Sequence, residues 1–219
     1  MMDFAQLQHL LADWYEVPAS KLGAPEGSLP RWMNPILRDF YHRFGALTQS
    51  NSQFTHPASH HAPLSCQDHV IPLEELRSQD GFTVFCKENQ GIFVVAACND
   101  QTDLETYAMG DAVSDDCVEE LTAMSVPLQE CLVTCVLRET IMSVGDRYRR
   151  ITPATLKTAQ QTASTGESII SRYIWPDTDF TFNLSKDVWF MEFGDMQFAA
   201  HRGLWRLKPA TWQEKVFKN

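Results

Sequence analysis

Seven consecutive apolar residues, Ile92-Phe93-Val94-Val95-Ala96-Ala97-Cys98, follow a first β-rich run, Phe82-Thr83-Val84-Phe85-Cys86. The two runs are joined by Lys87-Glu88-Asn89-Gln90-Gly91. Two such runs separated by a short Gly-containing turn predict a β-hairpin. The second run offers no polar face, so its strand is expected to be covered on both sides of a sheet. A chain of 219 residues that is 44% hydrophobic can supply those covering layers. Glu105-Thr106-Tyr107-Ala108-Met109, ahead of Gly110-Asp111, is a candidate third strand.

Helical patterns flank this sheet. Phe4, Leu7, Leu11 and Trp14 share one face of a helix ended by Val17-Pro18. A loop rich in Gly and Pro, residues 23–30, precedes a second helix with Asn34 as N-cap and Pro35 at its first position. Ile36, Leu37, Phe40, Tyr41 and Phe44 line its inner face, and Gly45 is a natural cap. Residues 48–68 are polar and without period, which predicts a long surface loop. Val118 to Met142 gives a long helical pattern that Val126-Pro127 either kinks or starts. Residues 146–172 are polar, with a helix start at Thr152-Pro153. Phe180–Phe182, Val188–Phe193 and Met196–Ala200 read as a small meander turning at Ser185-Lys186-Asp187 and Gly194-Asp195, closed by Leu204–Leu207. The order of elements predicts an α+β fold: a central, mainly antiparallel sheet flanked by helices, with a C-terminal β-meander. A single domain is expected, with its core at about residues 29–142 and the extension 143–219 packed on it. Phe40, Tyr41, Trp14 and Trp189 are expected in the core.

Charge is placed unevenly. Residues 88–137 contain no Lys, Arg or His and hold ten acids: Glu88, Asp100, Asp103, Glu105, Asp111, Asp115, Asp116, Glu119, Glu120 and Glu130. They equal the net charge of −10. Nucleic acid is a poor partner for such a surface, because binding there depends on basic side chains displacing counterions. A basic protein face is compatible, and so is a merely solvated acidic face. No apolar run reaches a membrane span, and Met1-Met2-Asp3-Phe4 lacks the basic start of a signal peptide. The six cysteines then read as reduced thiols of a cytoplasmic protein.

Sequence motifs for catalysis are missing: no GxSxG, GxxxxGK[ST], HExxH or GxGxxG occurs. His56, His60, His61 and His69, with Cys66 and Asp68, have the ligand types for zinc, but their spacing matches no metal framework. Cys131 and Cys135, one helical turn apart among Leu128, Leu132 and Val136, are read as buried small hydrophobes. Asp115, Asp116, Glu119 and Glu120 lack the alternation and glycine of a calcium loop and suit the first turn of a helix. No catalytic residue, metal site or cofactor is expected.

Leu29-Pro30, then Pro35-Ile36-Leu37-Arg38-Asp39-Phe40-Tyr41 with Phe44-Gly45, resembles the entry motif of the SUKH superfamily. Ile71-Pro72-Leu73-Glu74-Glu75-Leu76 and Phe85-Cys86-Lys87-Glu88-Asn89-Gln90-Gly91 are similar to its next two segments. The stretch from Trp175 to Trp205 resembles the extension of its longer members. That superfamily takes in yeast cell-wall synthesis regulators and bacterial toxin-immunity proteins. The resemblance implies a non-catalytic protein-binding module, most simply an immunity protein that neutralises a basic, nuclease-type toxin domain. Polar turn residues surround Asp100, Asp103, Glu105, Asp111, Asp115 and Asp116, which are therefore the expected exposed partner contacts, with acids standing in for nucleic-acid phosphates. Glu88, Asn89 and Gln90 are expected to build a turn whose side chains bond the backbone. An intracellular adaptor on the same fold is the alternative, and a metal-dependent enzyme using the His56–His69 loop a further one.

Overall fold

A computed structural model describes residues 2–50, 54, 61–100, 102–110, 121–143, 157, 161–162, 164–174 and 177–202. Helix α1 (Phe4–Tyr15) starts at a capping box in which Asp3 accepts from the Gln6 N–H while the Gln6 side chain accepts from the Asp3 N–H. Helix α2 (Pro35–Phe44) is capped by the Asn34 side chain, which accepts from the Ile36 N–H, with Pro35 at the first position. Gly45 caps its end, as expected, with a helical φ of −58°, and the chain continues as a 3₁₀ turn, Gly45–Thr48. Glycine is needed there for close approach, because a Cβ would lie 2.8 Å from that of Ala24. The loop bearing Ala24 hugs α2 through Ala24 N–H to Tyr41 O and Ala46 N–H to Leu22 O.

Strands β1 (Asp68–Val70), β2 (Phe82–Glu88), β3 (Phe93–Cys98), β4 (Glu105–Gly110) and β5 (Thr122–Pro127) form one antiparallel sheet in sequence order. The hairpin and third strand stand where the sequence places them, and Val94, Val95, Ala96 and Ala97 are buried, as an all-apolar strand requires. Ile92 lies in the turn, exposed, rather than in the strand. The long helix expected from Val118 to Met142 is corrected: Thr122–Pro127 is an edge strand and helix α3 begins after it, at Leu128–Ser143. Pro127 favours extended backbone at Val126 and has no N–H to continue the ladder. Opposite Glu105–Tyr107 the register shifts, and Ser125 adopts a left-handed φ of 55° to absorb it.

A second antiparallel sheet, β6 (Glu167–Arg172), β7 (Asp179–Leu184), β8 (Val188–Phe193) and β9 (Met196–His201), extends the meander by one strand. The fold is α+β as expected, a central antiparallel sheet with flanking helices and a C-terminal meander, the meander forming its own four-stranded sheet. β6 arises in a stretch whose polarity hid it: Ile169 and Ser171 point inward, and the buried Ser171 hydroxyl meets Thr134 of α3. The surface-loop reading of residues 48–68 is also corrected, since Phe54, Ala62, Leu64 and Asp68 are buried. The expected helix start at Thr152-Pro153 and the closing run Leu204–Leu207 lie outside the described residues.

Helix α3 packs against α1, α2, β4 and β5 on one hand and β6, β8 and β9 on the other. Leu128 and every residue from Glu130 to Ile141 are buried. Three of these, Glu130, Thr134 and Arg138, recur at four-residue steps and form a polar seam. Glu130 holds the Arg172 N–H, Nε and Nη2; Thr134 reaches Ser171 Oγ and Arg172 O; Arg138 pairs with Asp68 and stacks over Tyr173 at 5.3 Å. The main apolar core runs from Met2 to Ala200, beside a small second cluster of Val188 and Phe190, and Trp14 of α1 meets Trp189 of β8 at 4.3 Å between ring centroids. Phe40 and Tyr41 are in that core, as expected.

Candidate functional site

The cation-free segment does not put all of its acids on the surface. Glu88 is buried at the end of β2, where its carboxylate accepts from the Gln90 and Ile92 N–H groups. The Gly91 N–H donates to Glu88 O, and Gly91 has a φ of 72°, which glycine adopts without strain. Glu88 therefore builds the turn that the sequence assigns to it. Glu130 is buried in its pair with Arg172. Of the five acids of this segment that lie in the described residues, Glu88 and Glu130 are internal structural groups, a distinction that a count of charges along the chain does not make.

Asp100 and Asp103 lie on the connection between β3 and β4, and Glu105 is the first residue of β4. Asp100 is exposed and Oδ1 accepts from both the N–H and the hydroxyl of Thr102; that backbone donor, foremost, holds its carboxyl below the usual carboxylate range. Asp103 accepts from the Glu105 N–H and from the Tyr107 hydroxyl at 2.7 Å. This bond to a carboxylate pushes the Tyr107 hydroxyl up to about 12. Glu105 is exposed. Asp111, Asp115 and Asp116 lie outside the described residues. Asp111 follows Gly110, which pairs with Phe93 at the far end of β4 from Asp103. Six residues of strand separate those ends by about 17 Å. The sheet thus brings Asp100, Asp103 and Glu105 to one end of β4 and Gly110 to the other.

Asn34 holds this loop from below. Its Nδ2 donates to the carbonyls of Cys98, Asp100 and Asp103 at 3.0, 3.2 and 2.9 Å, while Oδ1 caps α2. The Leu128 N–H, first in α3, donates to Leu104 O at 2.7 Å. Despite this anchorage the Leu104 side chain is 57% exposed, and Trp32, two residues before Asn34, is 38% exposed beside the cation Arg31. The sequence names the acids but gives no sign of the second role of Asn34 or of the exposure of Leu104 and Trp32. The nearest to one is the isolation of Leu104 within Asp100-Gln101-Thr102-Asp103-Leu104-Glu105.

The histidine loop is dispersed by other commitments. His56 and His60 lie outside the described residues. Asp68 is locked to Arg138, the Cys66 thiol donates to Met142 O, and His69 Nδ1 meets Ser65 Oγ at 3.0 Å. Burial holds His69 below its ordinary value. Among the described residues no three His, Cys, Asp or Glu side chains converge as a metal site. Cys131 and Cys135 are buried free thiols, and burial pushes Cys131 up, which keeps it protonated. No helix of the described residues is long and apolar enough to cross a membrane. No family model, curated protein or solved structure matches this chain.

Proposed function

We propose that this chain is a cytoplasmic, non-catalytic protein-binding module that neutralises a basic, nuclease-type toxin domain, as the resemblance to SUKH immunity proteins implies. The observation that carries the reading is the 50-residue stretch without a cation, whose Asp100 stands exposed on the hydrogen-bonded connection between β3 and β4 and whose Glu105 stands exposed at the start of β4. Fixed carboxylates of one sign steer a basic partner into encounter and repel acidic competitors, nucleic acid among them. The segments similar to the superfamily fall on α2, on the 3₁₀ turn Leu73–Glu75 and on the β2–β3 turn, where they build the fold. The partner contacts are therefore sought in the loops.

The test is inhibition of a panel of purified basic nuclease toxin domains, with association rates measured at rising salt. Stoichiometric inhibition of one domain is expected, with an on-rate that drops about tenfold between low and physiological ionic strength. Affinity and on-rate indifferent to salt would sink the reading.

A further inference from the structure

We infer that Glu139 is a proton-operated latch on the segment 65–69 that runs into β1: the protonated carboxyl keeps the segment on α3, and loss of the proton lets it lift while its base and the rest of the fold stay closed.

The segment is closed at its base. Leu64 and Val70 are fully buried, and the Val70 N–H donates to Leu64 O. Between them Ser65 Oγ meets His69 Nδ1, so Ser65 to His69 form one small unit. Glu139 of α3 holds its centre by accepting from the N–H groups of Cys66, Gln67 and Asp68. Gln67 Oε1 is buried with no hydrogen-bond partner, so it gains water when the segment lifts. β1 is an edge strand paired with β2 alone, and beyond the base the Tyr41 hydroxyl donates to Ile71 O and keeps the following residue in place.

Charge decides when the segment lifts. Glu139 and Asp68 are both fully buried, and Arg138 directs two nitrogens to Asp68. Two ionised carboxylates beside one guanidinium leave a buried negative charge without a counter-ion, which is costly until water reaches it. A proton on Glu139 removes that charge. Burial accordingly pushes this carboxyl up to about 7, although Arg138 and the N–H donors favour its charged form. In the lifted state water restores the ordinary value, so lifting is rare in acid and grows as pH rises toward 7. The other titratable groups around the latch are these. Tyr15 of α1, Tyr41 of α2, Cys86 of β2 and Tyr173 beyond β6 are pushed up by burial and stay protonated, and Cys135 of α3 is raised as well. Lys87 and Glu88 stand across the ladder from His69 and Asp68, and Glu75 and His61 act on His69. His69 itself titrates with the opposite sign: burial holds it below its ordinary value, so acid would lift the segment through it.

The experiment follows amide hydrogen exchange by NMR in the full chain from pH 5 to 7.5, corrected for the intrinsic base-catalysed rate. Opening at the Cys66, Gln67 and Asp68 amides should rise by roughly tenfold or more, and low urea should leave it unchanged, since a lifting segment exposes little surface. Core amides such as that of Val136 should exchange far more slowly and respond to urea. In Glu139→Gln the pH step should vanish. In Asp68→Asn, which leaves Arg138 to Glu139, it should move to lower pH. Segment amides that exchange at the core's rate, with the core's response to urea, would overturn the latch, as would a step that survives Glu139→Gln. Opening that falls as pH rises would assign the titration to His69 instead. A step unmoved by Asp68→Asn would overturn the sharing of one cation.

Discussion

Glu139 is held by three consecutive backbone N–H groups, those of Cys66, Gln67 and Asp68, at 2.8, 2.8 and 3.1 Å. Asp68 and Arg138 share its cluster, and Cys135 lies on the same helix. Burial dominates over the donors and over Arg138, and pushes the Glu139 carboxyl up to about 7 from an ordinary 4.5. The sign follows from linkage: the folded state binds a proton that the unfolded state has released, so folding is favoured by acid. The contribution is complete below about pH 4.5 and is lost as pH rises toward 7. Denaturant titrations at pH 5 and pH 7.5 should show the parent losing stability across that window and Glu139→Gln losing much less. An equal loss in both would place the titration on another group. None of this is legible in Arg138-Glu139, which reads as two charges on a helix, because the groups that hold them sit 70 to 73 residues away in sequence.

Elements that carry their own period were legible, and those defined by a distant neighbour were not. The hairpin and the meander have apolar runs and turns in the right places, so local preference and tertiary structure agree. β6 alternates apolar residues with serine, and only the Thr134 hydroxyl, 37 residues away, explains why Ser171 can turn inward. The acids of the loop were placed, but its clamp was read only as a cap, since the carbonyls that Asn34 holds are 64 to 69 residues away. The strap between α3 and β6 makes a prediction at this scale. Glu130→Ala removes a bidentate pair and leaves the Arg172 N–H without its acceptor; Arg172 itself is partly exposed and can return to water. A loss of about 1.5–3 kcal/mol is expected in urea denaturation, the range for hydrogen bonds to a charged group. A loss below half of that would mean the strap only decorates a packing contact.

Across the whole molecule, the contact between Trp14 and Trp189 ties the first helix to the second sheet, two parts that the sequence separates by nearly its full length. Trp189→Ala should cost about 3–5 kcal/mol, the range for removing a buried large aromatic. Probes placed on α1 and on β8 should still report a single urea transition in the parent. Two separated transitions would show that the continuous core does not unfold as a unit. The same arrangement bears on how the chain is made. Helix α3 is buried on every side, yet β6, β8 and β9, which supply one of its walls, are synthesised after it. A nascent chain that has just released Ser143 therefore holds a helix with an open flank. The helix carries Glu130 and Thr134 among its apolar residues, so water can serve these polar groups until Ser171 and Arg172 arrive. Polar groups on that open flank make the unfinished helix less adhesive than an all-apolar flank would be.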